Sequence, residues 1–340
     1  MRAALMMDKG LLEVGEIPDP RPRAGEAMVE VDHGGICGSD LVTLASGRPN
    51  ELPRVLGHEF AGTLREINGD TSYPFKPGDR VVAEPTSGCG ICRSCRSGQC
   101  NVCHKRIILG VETDGVFAQY VRVPVENLLK IPDEVPSEEA ALVQPVAVVV
   151  HALRRTAFQG GGTAAVLGAG PIGALLAMLA QASGGTTVVV SEPNSFRRSV
   201  MEGMGIPAID PLSEDAVSAA LSHLGERDEG FDIVFDAAGS TNSLRQATEM
   251  ARVGGQVMMV ATYHGNPEMG IMTARKREVD MLTTRAHNFD DFRASLNLIA
   301  SRQLDVRPLI TNKIGLDELP GAFDTLSSGG PMMKVLCQPS

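Results

Sequence analysis

Apolar and polar positions change their spacing near His151. On the N-terminal side, short β-rich runs are separated by Gly, Pro and Asp, as in 27–31, 81–83, 117–123 and 127–131. On the C-terminal side the spacing predicts strands at 164–167, 186–191, 232–236 and 256–261, and helices at 174–182, 196–204, 216–224 and 244–251. This alternation predicts a parallel sheet covered by helices. A helix at 292–302 and a strand at 333–337 are expected to close the chain.

Length and charge narrow the classes of protein that the sequence fits. A chain of 340 residues is long enough for about two domains. With 31 basic and 41 acidic residues its formal charge is −10, which argues against nucleic acid as a partner. The uncharged stretch 156–191 holds eight glycines, so we interpret it as strand, turn and helix rather than a membrane span. We expect no membrane partner, and a cytoplasmic location because 1–10 lacks a signal-peptide core.

A GxGxxG motif lies between a predicted strand and a predicted helix, with its glycines at Gly168, Gly170 and Gly173. In that context backbone N–H groups can approach a pyrophosphate at the positive end of the helix. Glu192 lies 19 residues after Gly173, where a carboxylate accepts hydrogen bonds from the ribose hydroxyls of NAD. Arg197 and Arg198 leave NADP open as an alternative, because a nearby Arg can bind its 2′-phosphate. The motif favours a dinucleotide site over a purely structural turn, and the carboxylate favours NAD.

Five of the seven cysteines fall within 89–103. A cytosolic cluster of thiols is typical of a metal site rather than of a disulfide framework. Four soft ligands at this spacing suit tetrahedral Zn²⁺, at about 2.3 Å to each sulfur, and leave no open position, so the site is predicted to be structural. The spacing favours the set Cys89, Cys92, Cys95 and Cys103, but it does not by itself exclude Cys100.

Two further glycine-containing segments, 35–40 and 57–62, hold Cys37, His58 and Glu59, which are all residue types that ligate zinc. These segments and the motifs above resemble the zinc-dependent medium-chain alcohol dehydrogenases. Within that family, the sequence is most similar to the branch of the sorbitol, butanediol and threonine dehydrogenases. The matching segments follow the family's order over most of the chain: 37–40, 57–62, 76–81, the cysteines of 89–103, 114–120 and 168–173.

The resemblance implies two zinc ions per chain, NAD and a small-molecule alcohol substrate. The catalytic zinc would be bound by Cys37 and His58, with Glu59 as ligand or close neighbour, and the Ser39 hydroxyl would relay the substrate proton. The structural zinc would be bound in the cysteine lobe, residues 89–103, by Cys89, Cys92, Cys95 and Cys103. Asn101 takes the place of the family's Asn before the last Cys, which identifies Cys103 as that last Cys. The positions that line the cofactor in similar enzymes are Ile172, Glu192, Arg197, Val260, Ala261, Thr262 and Arg285.

The same resemblance implies an α/β fold with two domains. A GroES-like, β-rich catalytic domain would be formed by 1–151 and 290–340, and a Rossmann domain, with a doubly wound parallel sheet, by 152–289. Members of the family are usually dimers or tetramers, so we expect a homodimer or homotetramer.

The chain also departs from the family pattern around the catalytic zinc. Gln144 replaces the usual acidic residue, which makes the metal site more positive and leaves the fourth ligand position to water. Val42 stands where many relatives carry a His, so an imidazole relay is absent. Thr43 and Ala286 occupy positions that are aromatic in sorbitol dehydrogenase, which widens the pocket.

The leading hypothesis is therefore a dehydrogenase that transfers hydride from a secondary alcohol, such as a polyol, sugar derivative or hydroxy acid, to NAD. A threonine-like dehydrogenase of 3-hydroxy amino acids is the alternative with the same fold, and the missing His at Val42 disfavours it. Two hypotheses of a different class are a zinc-free relative of the quinone reductases and a non-catalytic relative. The presence of Cys37, His58 and Glu59 argues against both.

Overall fold

Two units of different architecture make up the chain in the computed structural model, which describes residues 1–47, 51–69, 72–225, 229–263 and 265–340. The first unit comprises Met1–Ala147 and Asn288–Ser340, and the second comprises Val148–His287. Within the described ranges, no helix has both the length and the apolar character needed to cross a membrane.

The elements follow one another along the chain in three groups. The N-terminal group consists of β1 (Arg2–Asp8), β2 (Leu11–Glu16), β3 (Glu26–Gly35), α1 (Gly38–Ser46), β4 (Arg54–Val55), β5 (Glu59–Ile67), β6 (Arg80–Ala83), β7 (Thr86–Ser87), α2 (Arg93–Arg96), β8 (Ile107–Ile108), β9 (Tyr120–Pro124), β10 (Leu128–Lys130), α3 (Ser137–Ala140) and α4 (Val143–Arg154). The middle group consists of β11 (Thr163–Leu167), α5 (Pro171–Ala182), β12 (Thr187–Ser191), α6 (Ser195–Gly203), β13 (Ala208–Ile209), α7 (Ala216–Leu221), β14 (Phe231–Asp236), α8 (Ser243–Met250), β15 (Ala251–Met259), α9 (Ile271–Arg277) and β16 (Asp280–Thr283). The C-terminal group consists of α10 (Phe289–Ala300), β17 (Ile310–Gly315), α11 (Leu319–Ser327) and β18 (Lys334–Gln338).

The first unit is built mainly on one sheet, in which the described strands pair in the order β10-β6-β5-β3-β18-β17, with β9 also on β3. The antiparallel register of β3 and β5 places Gly35 opposite Glu59. On the other side of β3, strand β18 from the far end of the chain places Leu336 opposite the same Gly35. The end of β3, the start of β5 and strand β18 therefore lie side by side.

Apolar side chains from both chain ends form the core of the first unit. Phe117 and Phe323 are both buried and pack edge to face, with ring centroids 5.9 Å apart. Burial of one such ring stabilises the fold by roughly 1.5–3 kcal/mol, and an aromatic pair contributes about 0.5–1.5 kcal/mol more. The C-terminal segment is thus a structural part of this unit and not an appendage.

The second unit is a parallel sheet whose described strands lie in the order β13-β12-β11-β14-β15-β16. Counted along this unit, the order is 3-2-1-4-5-6, which is that of the doubly wound dinucleotide-binding fold. The central strands are almost wholly buried, as expected for a parallel sheet covered on both faces. The order reverses between β11 and β14, and in such sheets ligands bind at the carboxyl ends of the strands at this point.

The predicted alternation of strands and helices in the middle of the chain is confirmed, with ends that differ by a few residues. The predicted strand 256–261 covers only the second half of β15 and extends two residues past its end at Met259. The predicted strand 117–123 begins only at Tyr120, and the preceding Phe117 instead accepts a hydrogen bond on its carbonyl from the N–H of Ala4 in β1. The pattern did not predict β5 or α4, nor did it predict β13, α9 and β16 of the second unit.

Candidate functional site

Cys37, His58 and Glu59 meet at the ends of two paired strands. Cys37 lies two residues beyond β3, and His58 and Glu59 lie at the start of β5, so the pairing of Gly35 with Glu59 brings the three side chains together. One ligand atom from each lies within 4.8 Å of the other two. Thiolate, imidazole and carboxylate all bind Zn²⁺, and a catalytic zinc has three protein ligands with a fourth position open. This donor set fits such a zinc.

Asp40 supports the cluster from α1. Its buried carboxylate accepts a hydrogen bond from the Cys37 N–H at 2.9 Å, and its other oxygen lies 3.4 Å from Nδ1 of His58. Burial alone lowers the pKa of His58, but Asp40 and Cys37 outweigh burial and raise this pKa well above its ordinary value. A carboxylate beside a metal-binding imidazole keeps the ring oriented, and the ring has to be neutral to bind a metal.

Lys334 of β18 forms an ion pair with Glu59, and both side chains are only 1% exposed. The ammonium group also donates a hydrogen bond to the carbonyl of Ile36 at 2.8 Å. Burial raises the pKa of the Glu59 carboxyl, and Lys334 and His58 oppose this rise without cancelling it. A carboxylate has two oxygens, so Glu59 can face Lys334 with one and a metal ion with the other.

The other residues predicted near this zinc lie in helices. Ser39 is exposed in the first turn of α1, two residues from Cys37. Val42, one turn further along α1, is 42% exposed and carries no proton-transfer group. Gln144 is buried in the first turn of α4.

The cysteine lobe gathers four sulfurs between β7 and β8. The sulfurs of Cys89, Cys92, Cys95 and Cys103 all lie within 4.8 Å of one another. Backbone N–H groups point at these sulfurs, as from Cys89 to Cys103 at 3.5 Å and from Cys95 to Cys92 at 3.4 Å. The N–H groups of Ile91 and Cys92 lower the pKa of the Cys89 thiol to about 6. The N–H groups of Cys89 and Lys105 likewise lower the pKa of the Cys103 thiol, whereas neighbouring thiols raise the pKa of Cys92 to about 11 and burial raises that of Cys95. The thiolate, the form in which cysteine binds zinc, is therefore favoured at Cys89 and Cys103.

Cys100 lies beside this cluster but is not one of the four gathered sulfurs. It starts a short 3₁₀ turn, Cys100–Val102, and its side chain is partly exposed. The spacing alone did not exclude Cys100 as a ligand. In the structure the converging set is the one that the resemblance implied.

The predicted pyrophosphate site lies at the carboxyl end of β11. Gly173 allows close packing in α5, because a Cβ there would lie 1.8 Å from the carbonyl oxygen of Gly168. The helix begins with Pro171, whose missing N–H costs nothing at the first helical position. Gly170 caps the helix, and Ile172 is its second residue. This is the strand, tight turn and helix start that a dinucleotide phosphate requires.

Glu192 follows β12 beside this turn and is buried. Its carboxylate accepts hydrogen bonds from the N–H groups of Ala169 at 2.6 Å and Asn194 at 2.9 Å. The Arg198 guanidinium is bound to Asp210 at 2.8 Å. Arg197 differs, because its buried Nε makes no hydrogen bond within the described part of the chain. A buried donor without a partner needs an explanation, and contact with a bound molecule is one such explanation.

The remaining predicted cofactor residues follow the next two strands. Val260 and Ala261 come directly after β15, and their N–H groups donate to the Asp236 carbonyl at 2.9 and 3.0 Å. Thr262 follows them, and Arg285 lies two residues after β16. Carboxyl ends of parallel strands lie at one edge of a sheet, so these residues lie at the same edge as Gly168.

Comparison with protein families agrees with both units. Residues 23–133 match the family model described as the alcohol dehydrogenase GroES-like domain, and 171–301 match that of the zinc-binding dehydrogenases. The chain belongs to the zinc-dependent medium-chain alcohol dehydrogenase family. It is therefore an oxidoreductase that uses zinc and a nicotinamide dinucleotide. The expected α/β fold, a GroES-like domain plus a Rossmann-type parallel sheet, is confirmed.

Three relatives of this dehydrogenase are informative. The 2-dehydro-3-deoxy-L-galactonate 5-dehydrogenase of Pseudoalteromonas atlantica is 32% identical, covering 93% of this chain and 92% of its own length. The L-threonine 3-dehydrogenase of Pyrococcus abyssi is also 32% identical, covering 93% and 92%. The NADP-bound structure of a zinc-binding dehydrogenase candidate from Sinorhizobium meliloti is 30% identical with a TM-score of 0.92, covering 99% of both chains.

Sequence reasoning gave no role to two residues that the structure places beside the candidate zinc ligands of the dehydrogenase, Asp40 and Lys334. Asp40 stands three residues after Cys37, a spacing that caps a helix and could have indicated its contact with the N–H of Cys37. Lys334 is a lone cation in the apolar run 332–337, which is itself a sign of a buried partner. Its partner Glu59 lies 275 positions away, so no local pattern identifies the pair.

We predict that Cys95→Ser removes one zinc ion per chain and lowers the melting temperature, because a structural zinc contributes directly to folding. Metal analysis and thermal unfolding measure both effects. Cys100→Ser is the matched control, and we expect it to keep the zinc content and to melt within a few degrees of the unmodified enzyme. Full zinc content in the Cys95 variant, or loss of zinc in the control, contradicts the assignment of the four ligands.

Proposed function

We propose that this dehydrogenase oxidises a secondary alcohol by hydride transfer to NAD, with a catalytic zinc bound by Cys37, His58 and Glu59. The observation that carries the proposal is the convergence of their ligand atoms within 4.8 Å, because three protein ligands are the set with which a catalytic zinc keeps a fourth position open. A second, structural zinc is proposed at Cys89, Cys92, Cys95 and Cys103. The first unit would then act as the catalytic domain and the second as the cofactor domain, close to the division predicted at 151 and 290.

When bound, the zinc ion lowers the pKa of the alcohol as a Lewis acid, and the nicotinamide accepts the hydride. The protein has to supply a path for the alcohol proton. We assign this role to the hydroxyl of Ser39, which is exposed two residues from Cys37 and can both accept and donate a proton. Since Val42 carries no imidazole, the proton passes from Ser39 to solvent without a His on this helix.

Buried charges hold the three ligands in place. Asp40 fixes the loop at Cys37 through its N–H and faces the ring of His58. Lys334 restrains Glu59 from β18. The removal of one partner of a buried ion pair costs about 3–5 kcal/mol, so Lys334 also stabilises the unit around the zinc site.

The substrate class is proposed to be a polyol, a sugar derivative or a hydroxy acid. Similarity to a sugar-acid dehydrogenase supports it, and so does Thr43 of the first unit, which takes less room than an aromatic side chain. The alternative is a threonine-like dehydrogenase, and the L-threonine 3-dehydrogenase of Pyrococcus abyssi is equally identical to this chain. Position 42, however, holds Val in place of the His that many relatives carry. A screen of polyols, inositols, sugar acids and L-threonine, read as NADH formation, distinguishes the two classes.

A cytoplasmic location and a homodimeric or homotetrameric assembly are also part of the proposal. Zinc thiolates suit a reducing compartment, and none of the seven cysteines forms a disulfide. Light scattering of the purified protein measures the assembly directly.

We predict that His58→Ala reduces the zinc content from two ions per chain to one and lowers kcat at least 100-fold, because the alcohol loses its Lewis acid. The lobe zinc and the melting temperature should be largely retained. His104→Ala, which changes an exposed His next to the lobe, is the control and should keep both ions and the activity. A His58 variant with full zinc content and normal turnover rules out this catalytic site.

We predict that kcat/KM with NAD exceeds that with NADP, because the Glu192 carboxylate repels a 2′-phosphate. Glu192→Gln should reduce the ratio of kcat/KM with NAD to kcat/KM with NADP by about tenfold or more, as expected for the loss of a hydrogen bond to a charged group. Steady-state kinetics with both cofactors tests this. If the enzyme prefers NADP and Arg197→Ala abolishes that preference, Arg197 and not Glu192 determines the choice.

We predict that Gln144→Glu tightens zinc and raises the apparent pKa in the pH–rate profile. An added negative charge near the zinc disfavours the alkoxide, so a higher pH is needed to form it. Competition with a chelator and rates measured across pH give the two values. Gln181→Glu, the same change at an exposed position of α5, serves as the control. An unchanged zinc affinity together with an unchanged profile contradicts a role for Gln144 at the metal.

A further inference from the structure

Asp236 ends β14 at the point where the order of the parallel sheet reverses, and its side chain is completely buried. None of the ion pairs formed by the described residues involves it. A buried carboxylate without a cation costs several kcal/mol unless hydrogen bonds replace its lost water. The donors that surround Asp236 therefore matter for the whole edge of the sheet.

Four neutral donors satisfy this carboxylate. One oxygen accepts hydrogen bonds from the N–H groups of Ala238 and Gly239, both at 3.1 Å. The other accepts them from the hydroxyls of Ser243 at 2.8 Å and Tyr263 at 2.7 Å. A carboxylate has about four acceptor positions, so all of them are filled. Each donor has to stay where it is, because a missing one leaves buried charge without a partner.

These donors come from two different loops. Ala238, Gly239 and Ser243 belong to the connection after β14, whereas Tyr263 belongs to the connection after β15. The backbone carbonyl of Asp236 adds two more bonds to the second loop, from the N–H groups at positions 260 and 261. One residue thus ties together the loops that follow two neighbouring strands.

The same loops contact the glycine-rich turn after β11. A Cβ placed on Gly168 would lie 3.0 Å from the backbone of Ala238, so the two turns touch without room for a side chain. Burial and the nearby Asp236 raise the pKa of the Tyr263 hydroxyl, so it stays protonated and keeps donating. Asp236 therefore sets the positions of three adjoining segments: the turn at 168, the loop 237–243 and the loop 260–263.

We propose that Asp236 is a positioning residue for the dinucleotide, which acts through Tyr263 and the loop 260–263 to hold the cofactor-binding edge of the sheet in its binding conformation. The inference rests on the proposed function, because it assumes that residues 260–262 line the cofactor. A conformation that is populated only in part weakens apparent affinity in proportion to the lost fraction. Loosening of these loops should therefore raise the dissociation constant of the dinucleotide and its KM, and leave the KM of the alcohol nearly unchanged.

The test compares the holoenzyme with Asp236→Asn, Tyr263→Phe and Asp232→Asn. Asp232 lies at the opposite, amino end of the same strand and binds Arg252 at 2.7 Å and the N–H of Thr163 at 2.8 Å. It is the matched control, since the same substitution on the same strand changes stability without touching the carboxyl-edge loops. NADH binding is measured by fluorescence titration, together with zinc content, melting temperature and the KM of each substrate.

We expect the NADH dissociation constant to rise about tenfold or more in Asp236→Asn and about threefold to tenfold in Tyr263→Phe, from the loss of hydrogen bonds to a charged group. Both variants should keep two zinc ions, and Asp232→Asn should bind NADH within twofold of the unmodified enzyme. If Asp236→Asn does not fold, Tyr263→Phe alone decides the outcome. Unchanged affinity in Tyr263→Phe, or equal weakening in Asp232→Asn, overturns the inference. If the unmodified enzyme binds neither NADH nor NADPH, the proposed function fails and the inference with it.

Discussion

The register of one strand pair determines where the candidate zinc ligands of the first unit meet. Because Gly35 of β3 lies opposite Glu59 of β5, Cys37 and His58 end up on neighbouring chain segments at the same edge. A shift of one residue would turn Glu59 to the other face of the sheet and separate the ligand atoms. Strand β18 pairs with the same stretch of β3 and adds Lys334, so the site also depends on the return of the C-terminal segment.

Charge balance explains why this site suits a divalent cation. When Cys37 and His58 bind a metal, as thiolate and neutral imidazole, the anionic Cys37, Asp40 and Glu59 exceed the cationic Lys334 by two negative charges, and such an excess in a largely buried cluster is costly. One Zn²⁺ cancels the excess. An acidic residue at position 144, in place of Gln144, would add one negative charge to this balance. The neutral amide of Gln144 and the buried ammonium group of Lys334 both keep the negative charge around the metal low.

Most of the candidate zinc and dinucleotide residues could be predicted from the sequence, because each motif determines its own local geometry. A strand, a GxGxxG turn and a helix leave few ways to fold, and four cysteines within 15 positions can reach a single ion without distant contacts. Asp40, Lys334, Asp236 and Tyr263 were given no role, since each has one important partner that only tertiary structure brings close. The pairs are Asp40 with His58, Lys334 with Glu59, and Asp236 with Tyr263. The contact of Tyr263 with Asp236 spans 27 positions, and that of Lys334 with Glu59 joins the two ends of the first unit. Strand β5 was overlooked because its residues are nearly all buried at one end and exposed at the other, without a clear alternation.

The most direct measurement is a crystal structure of the zinc-loaded enzyme with anomalous scattering recorded at the zinc absorption edge. We predict two anomalous peaks per chain, one among the four lobe sulfurs and one about 2.0–2.3 Å from the Cys37 sulfur and a His58 nitrogen. A single peak in the lobe, with Cys37, His58 and Glu59 free of metal in a fully active enzyme, would contradict a zinc-dependent reaction at this site.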